Sequence, residues 1–140
     1  MSGKVFFDTN VVLYAIGQDE VRTPKAEALL ALGGVVSVQV LNELASVARR
    51  KLQMTWTEVS DAMAALKTLC PSPLPLTVAT HDTALQLAAR LGYHIYDALI
   101  VASALEANCT ILYSEDLRSG QAVDGRLIIE NPFATGGRRP

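Results

Sequence analysis

The chain has 140 residues and a mass of 15.0 kDa; half of its residues are apolar, 19% are charged and its formal net charge is −2. This composition excludes a disordered polymer, a histone-like polycation and a coiled coil. An isoelectric point near 5.6 also excludes capture of a polyanion by a broad positive field, so a nucleic-acid substrate would need positive charge from another source.

No apolar run approaches the roughly 18–20 residues that span a bilayer, and Met1-Ser2-Gly3-Lys4 passes directly into a strand-like segment. These features predict a cytoplasmic chain with no membrane partner. Residues 1–133 are expected to form one domain, and Ala134–Pro140, with Gly136-Gly137-Arg138-Arg139, a flexible tail. Cys70 and Cys109 have neither metal-ligand spacing nor a disulfide framework around them, and are read as buried apolar residues.

In chain order, Lys4–Phe7 is a β-branched and aromatic run stopping at Asp8, and Val11–Ile16 opens a helix that ends near Gly17. A second helix is predicted from Thr23 or Pro24 to Leu32, closed by Gly33-Gly34. Val35–Val38 reads as a strand, and Val40–Leu52 carries the apolar stripe of an amphipathic helix. Thr55-Trp56-Thr57-Glu58 has the form of a capping box, and the helix it opens cannot continue beyond Leu69 into Pro71, Pro73 and Pro75. Leu76–Ala79 is read as a short strand, with Thr80 as the N-cap of a helix over Asp82–Leu91 stopped by Gly92. Tyr96–Ala107 is apolar around nearly its whole circumference, as in a helix buried on all sides. Thr110–Tyr113 and Arg126–Ile129 complete the strands. Alternating strands and helices imply right-handed crossovers and a mostly parallel sheet covered on both faces, an α/β sandwich.

In such a sheet, sites form beyond the carboxyl ends of the strands. Asp8 and Asp116 follow two different strands, although each also has an ordinary reading as a cap or turn residue. Glu43 borders the apolar arc of its helix beside Val40 and Val47, and Asp97 has Ile100, Val101 and Ala104 around it. No lysine or arginine is adjacent to Asp97, so a buried charge there needs a counter-ion; the alternative is a first-turn carboxylate favoured by the helix dipole. Oxygen-only ligands select Mg²⁺ or Mn²⁺, whereas zinc would recruit His or Cys. His81 and His94 lack a second His at ligand spacing and are read as surface or capping residues. Four carboxylates holding divalent cations suit phosphodiester hydrolysis, and the cations would supply the missing positive charge.

Phe7-Asp8-Thr9-Asn10, Glu43 in the helix after Ser37, Tyr96-Asp97-Ala98 and Ser114-Glu115-Asp116-Leu117 together resemble a PIN domain. Within that family the chain is most similar to the VapC-like ribonuclease toxins of toxin–antitoxin pairs, down to Asn131-Pro132-Phe133. The resemblance implies a three-layer fold with four or five parallel strands and a Mg²⁺- or Mn²⁺-dependent endoribonuclease. Its catalytic acids and metal ligands would be Asp8, Glu43, Asp97 and Asp116, with Thr9, Asn10 and Ser114 orienting them. Glu115 adjoins Asp116, and strand-to-turn placement favours Asp116 as the fourth acid. Arg118 and Ser119 stand where some relatives carry a further acid, so a second cation would be weakly held. The resemblance also implies a homodimer and a small antitoxin lying across the acidic groove.

Arg49 and Arg50 are the intrinsic candidates for holding RNA, beside the plainer reading as a solvated helix end. Trp56 and Tyr14 are read as residues packed in the core or in a subunit interface, with base stacking as the other reading. A strand ending in Asp also opens phosphatases of the haloacid dehalogenase type, but those need an aspartate two positions on, where this chain has Asn10. The competing function is a catalytically inactive PIN-like module that binds RNA or protein.

Overall fold

Phe6 and Phe7, fully buried, end the first strand against the centre of the molecule, and the chain turns into a helix at once. In this computed structural model, which describes residues 3–134, the order is β1 (Lys4–Phe7), α1 (Thr9–Ile16), α2 (Arg22–Ala31), α3 (Val38–Arg50), α4 (Trp56–Leu69), α5 (Val78–Leu91) and α6 (Ile95–Glu106). Then follow β2 (Cys109–Tyr113), β3 (Ala122–Val123) and β4 (Leu127–Glu130). The sheet order is β1-β2-β4-β3; β1, β2 and β4 are parallel and β3 is antiparallel to β4. The result is a three-layer α/β sandwich with a four-stranded, mostly parallel sheet, as the alternation of elements predicts.

Phe6, Leu112 and Ile129 occupy one register across the three parallel strands, and all are fully buried. α6 is buried at every position from Ala98 to Leu105, which accounts for its apolar circumference. Each large aliphatic side chain buried there contributes about 1.5–3 kcal/mol. α3 has two faces instead: Val40, Leu44 and Ala48 enter the core while Arg49 and Arg50 stay outside. Among the described residues, no helix is long and apolar enough to cross a membrane. The residues beyond Ala134 in the expected tail lie outside the described residues.

Two expected strands are corrected. Val35–Val38 makes only isolated bridges, Phe6 with Val35 and Ser37 with Leu74, because Val38 already begins α3. Leu76–Ala79 is not a strand: Thr77 caps α5 by accepting from Thr80 N at 3.0 Å, and Val78 and Ala79 are helical. Thr80 is therefore the third helical residue rather than the N-cap, and its hydroxyl donates to Glu106 at 2.8 Å. The capping box at Thr55 and Glu58 and the left-handed stop at Gly92 form as expected. Both cysteines are buried and free.

Gly34 allows the segment after α2 to run beside β1. A Cβ there would collide with the Phe7 ring and lie 3.0 Å from the Val5 carbonyl oxygen. The close approach permits Phe7 N to donate to Val35 O at 3.0 Å and Val35 N to donate to Val5 O at 2.9 Å, fixing the strand end from which Asp8 emerges.

Candidate active site

Asp8 leaves β1 in extended conformation and serves as the N-cap of α1, which begins at Thr9, two residues earlier than the pattern of apolar residues indicates. Its Oδ1 accepts from Thr9 N at 2.7 Å, and its Oδ2 accepts from the Ser114 hydroxyl at 2.7 Å and from Asn10 Nδ2 at 3.3 Å. The cap reading and the site reading of Asp8 thus describe one side chain with two differently occupied oxygens.

Ser114, fully buried just past β2, does two things at once. Its Oγ accepts from Asp116 N at 3.2 Å and Leu117 N at 3.1 Å, which shapes the turn, while its proton goes to Asp8. Asn10 reaches the same turn from α1: its Oδ1 accepts from Glu115 N at 3.0 Å, and its Nδ2 donates to Asp116 Oδ2 at 3.2 Å. Asn10 therefore bridges two carboxylates delivered by different strands.

Glu43 sits on α3, where Thr9 donates to one oxygen at 2.6 Å and Gln39 Nε2 to the other at 3.0 Å. Gln39, one helical turn before Glu43, was not legible as a site residue, since glutamine at that spacing carries no distinctive signal. Asp97 lies in the first turn of α6, whose N-cap is His94, accepting from Tyr96 N at 3.2 Å.

Asp8, Glu43, Asp97 and Asp116 all line one cleft of about 430 Å³, together with Thr9 and Asn10. Arg50 and Lys51, at the end of α3, line it too. Arg49 does not line it: its guanidinium lies 4.7 Å from the centre of the Trp56 ring and donates to Met54 O at 2.8 Å. Trp56 is 65% exposed, so it does not pack in the core. Tyr14 does pack, edge-on to Phe133 at 5.0 Å between ring centres.

Glu115 lies outside the cleft. Tyr14 donates to one of its oxygens and Arg22 Nε to the other, each at 2.6 Å. Asp116 is the acid that the turn after β2 contributes to the cleft.

Electrostatics show how the acids act on one another. Burial pushes the Asp8 carboxyl up to about 6, against the hydrogen bonds from Ser114 and Thr9, and Asp97 and Glu43 push it further. Asp97 is likewise raised, first by burial and then by Glu43, with His94 opposing. Asp8 and Asp97, each raised in part by neighbouring acids, call for a cation, and an all-oxygen donor set suits Mg²⁺ or Mn²⁺. Among the described residues, however, no three acidic, histidine or cysteine side chains converge closely enough to share one ion as they lie. Glu43 is turned onto Thr9 and Gln39, and the Asn10 amide stands between Asp8 and Asp116. The donors and the charge fit a divalent cation; its uptake requires these side chains to exchange hydrogen bonds for ligation.

The sequence profile of the PIN domain matches residues 5–123. The chain belongs to the PIN domain family. None of the curated proteins matches this PIN domain in sequence. Among solved structures it is similar to VapC20 of Mycobacterium tuberculosis, a sarcin-ricin loop cleaving toxin, at 22% identity and a TM-score of 0.66, covering 81% of this chain and 90% of that one. It is also similar to a toxin–antitoxin complex from Klebsiella pneumoniae at 15% identity and a TM-score of 0.72, covering 94% of this chain and all of that one. A third likeness, 20% identical with a TM-score of 0.66, is to VapBC2 of Rickettsia felis bound to a promoter DNA fragment, covering 91% of this PIN domain and 97% of that chain. At these identities the likeness concerns the fold.

Proposed function

We propose that this PIN domain is a Mg²⁺- or Mn²⁺-dependent endoribonuclease, the toxin of a toxin–antitoxin pair acting in the cytoplasm. One observation carries the reading: carboxylates from four separate elements line one cleft, and the most buried of them, Asp8, is held far above its ordinary pKa. The similarity to toxins and toxin–antitoxin complexes supports the physiological part, including a small antitoxin partner; we take the chain to act as a homodimer.

Asp8, Glu43, Asp97 and Asp116 would hold the cation, which when bound neutralises charge on the phosphodiester and acidifies the attacking water. The chain's own residues set the geometry. Thr9 and Gln39 orient Glu43, while Ser114 and Asn10 fix Asp8 and Asp116 relative to each other. In the reaction the water oxygen bonds to phosphorus, the P–O3′ bond breaks, and the products carry a 5′-phosphate and a protonated 3′-hydroxyl.

Purified protein incubated with RNA and Mg²⁺ or Mn²⁺ should cleave it, and EDTA, Asp8→Asn or Asp97→Asn should each reduce the rate about a hundredfold or more. Cleavage that survives all three sinks the mechanism. Failure to cleave any RNA, with binding retained, would favour the inactive binding module instead. For the toxin role, expression should arrest growth, and a small gene encoded beside this one should relieve the arrest.

A further inference from the structure

Trp56, the chain's single tryptophan, stands open to solvent at the start of α4, outside the acidic cleft. The ring is supported from one side. The Arg49 guanidinium lies over it and is itself fixed by donating to Met54 O at 2.8 Å. Leu52, in the same loop, is also exposed. A large ring held open on one face with a cation packed behind it has the form of a contact surface.

The way from the cleft to that ring is positively charged. Arg49, Arg50 and Lys51 form an exposed run of three cations in a chain of net charge −2, and among the described residues none of them is in a salt bridge. At about 100° per residue they fan roughly 200° around the end of α3. Arg50 and Lys51 line the cleft, while Arg49 turns to Trp56. The cations therefore make a collar that leads out of the cleft and round the helix end to the ring. Glu58, two residues beyond Trp56, is engaged in the capping box with Thr55. Glu43 and Arg49 are six residues apart, about 9 Å along the helix axis, which is about three nucleotide steps at roughly 3.4 Å each.

Resting on the ribonuclease reading, we infer that Trp56 anchors a second RNA site outside the cleft: a base of the strand leaving the cleft stacks on the open face of the ring, and the collar carries the intervening phosphates. A nucleobase suits a flat apolar face with an arginine behind it, and a phosphate chain suits cations without acidic partners. A second copy of this chain does not suit the patch, because a two-fold axis through the ring would set the three cations of one copy against those of the other. The ring and the acids belong to two sides of one helix end, so the cut falls at a set number of nucleotides from the anchored base.

The single tryptophan reports on its own site. With Ca²⁺ in place of Mg²⁺ to hold the strand uncleaved, an oligoribonucleotide should quench the Trp56 fluorescence and shield it from acrylamide. An abasic oligonucleotide of the same length, which carries the charge without the bases, should bind without quenching. One abasic position moved along the RNA should abolish the quenching at a single offset from the site that is cut when Mg²⁺ is restored. By anisotropy of labelled RNA, Trp56→Ala should weaken binding roughly ten- to a hundredfold with the salt dependence unchanged, and Trp56→Phe should restore part of the affinity. The double variant Arg50→Ala, Lys51→Ala should lower the slope of log Kd against log salt by about 1.4. RNA that saturates the protein without changing the fluorescence, quenching indifferent to where the abasic position stands, or a Trp56→Ala variant that binds like the parent overturns the inference while leaving the ribonuclease reading intact. So does a Trp56→Ala variant that sediments as a monomer where the parent sediments as a dimer, which assigns the ring to a subunit interface. A parent protein that neither binds nor cleaves RNA overturns both.

Discussion

The Tyr14 hydroxyl and the Glu115 carboxylate meet at 2.6 Å, and this contact keeps Glu115 out of the acidic cleft although its neighbour Asp116 lines it. Arg22 holds the other Glu115 oxygen and lies over the rings of Tyr14 and Phe133, at 5.3 and 5.9 Å from their centres. The two adjacent acids therefore have separate tasks. Glu115→Gln should leave the cleavage rate within about twofold, while Asp116→Asn lowers it at least about tenfold. Tyr14→Phe leaves one Glu115 oxygen without its donor and should lower stability by about 1 kcal/mol in urea unfolding.

Asn10 joins the two strand ends chemically. It accepts from Glu115 N and donates to both Asp8 and Asp116, so Asn10→Ala frees the two acids to separate. We expect a roughly ten- to a hundredfold fall in kcat with the circular dichroism spectrum unchanged. Asn10→Asp should be worse, because a further carboxylate would stand between two that already repel the rest of the cluster.

Asp8 carries a pH signature. Its carboxyl is raised from 3.8 to about 6, so between these values the folded chain binds more protons than the unfolded one, and stability falls as pH rises through that window. The full effect is about 3 kcal/mol, present below pH 4 and lost above pH 6. Asn cannot ionise, so Asp8→Asn in EDTA should lower stability at pH 4 by about 1–2 kcal/mol and raise it at pH 8. The gain is smaller than the full effect, about 1–2 kcal/mol, since the new Nδ2 faces donors on Ser114 and Asn10. Thermal unfolding at the two pH values reads this as a shift of about 3–5 °C per kcal/mol.

Gly34 supports the site from behind. Gly34→Ala drives a methyl group against the Phe7 ring and the Val5 carbonyl, disturbing the strand end that places Asp8. A loss of about 1–3 kcal/mol in urea unfolding is expected, with reduced cleavage under conditions where the protein remains folded.

The parts of this molecule that read correctly from sequence are those where local chemistry and the global fold agree. β1 stopping at Asp8, the capping box at Thr55, the all-apolar α6 and the delivery of Asp8 and Asp116 past neighbouring parallel strands were legible because each has a local pattern. Val35–Val38 and Leu76–Ala79 were not. Both are short β-compatible runs at a helix start, and periodicity over four residues cannot separate the two states. β3 is two residues long and exists only through its pairing with β4. Lys51 and Tyr96 enter the cleft through the rotation of α3 and the capping of α6, and Arg49 leaves it through Trp56 across a loop, a contact that helical spacing does not encode.

The central claim is that the four carboxylates act together as a cation site, and titration calorimetry of Mn²⁺ at pH 6 tests it most directly. Performed in two buffers of different ionisation enthalpy, it counts protons as well as cations. The parent protein should bind Mn²⁺ and release up to about half a proton from Asp8, whose pKa lies near that pH. Asp97→Asn should weaken binding and Asp8→Asn should weaken it and reduce the proton release. Absence of binding, or binding that neither variant alters, would contradict the account.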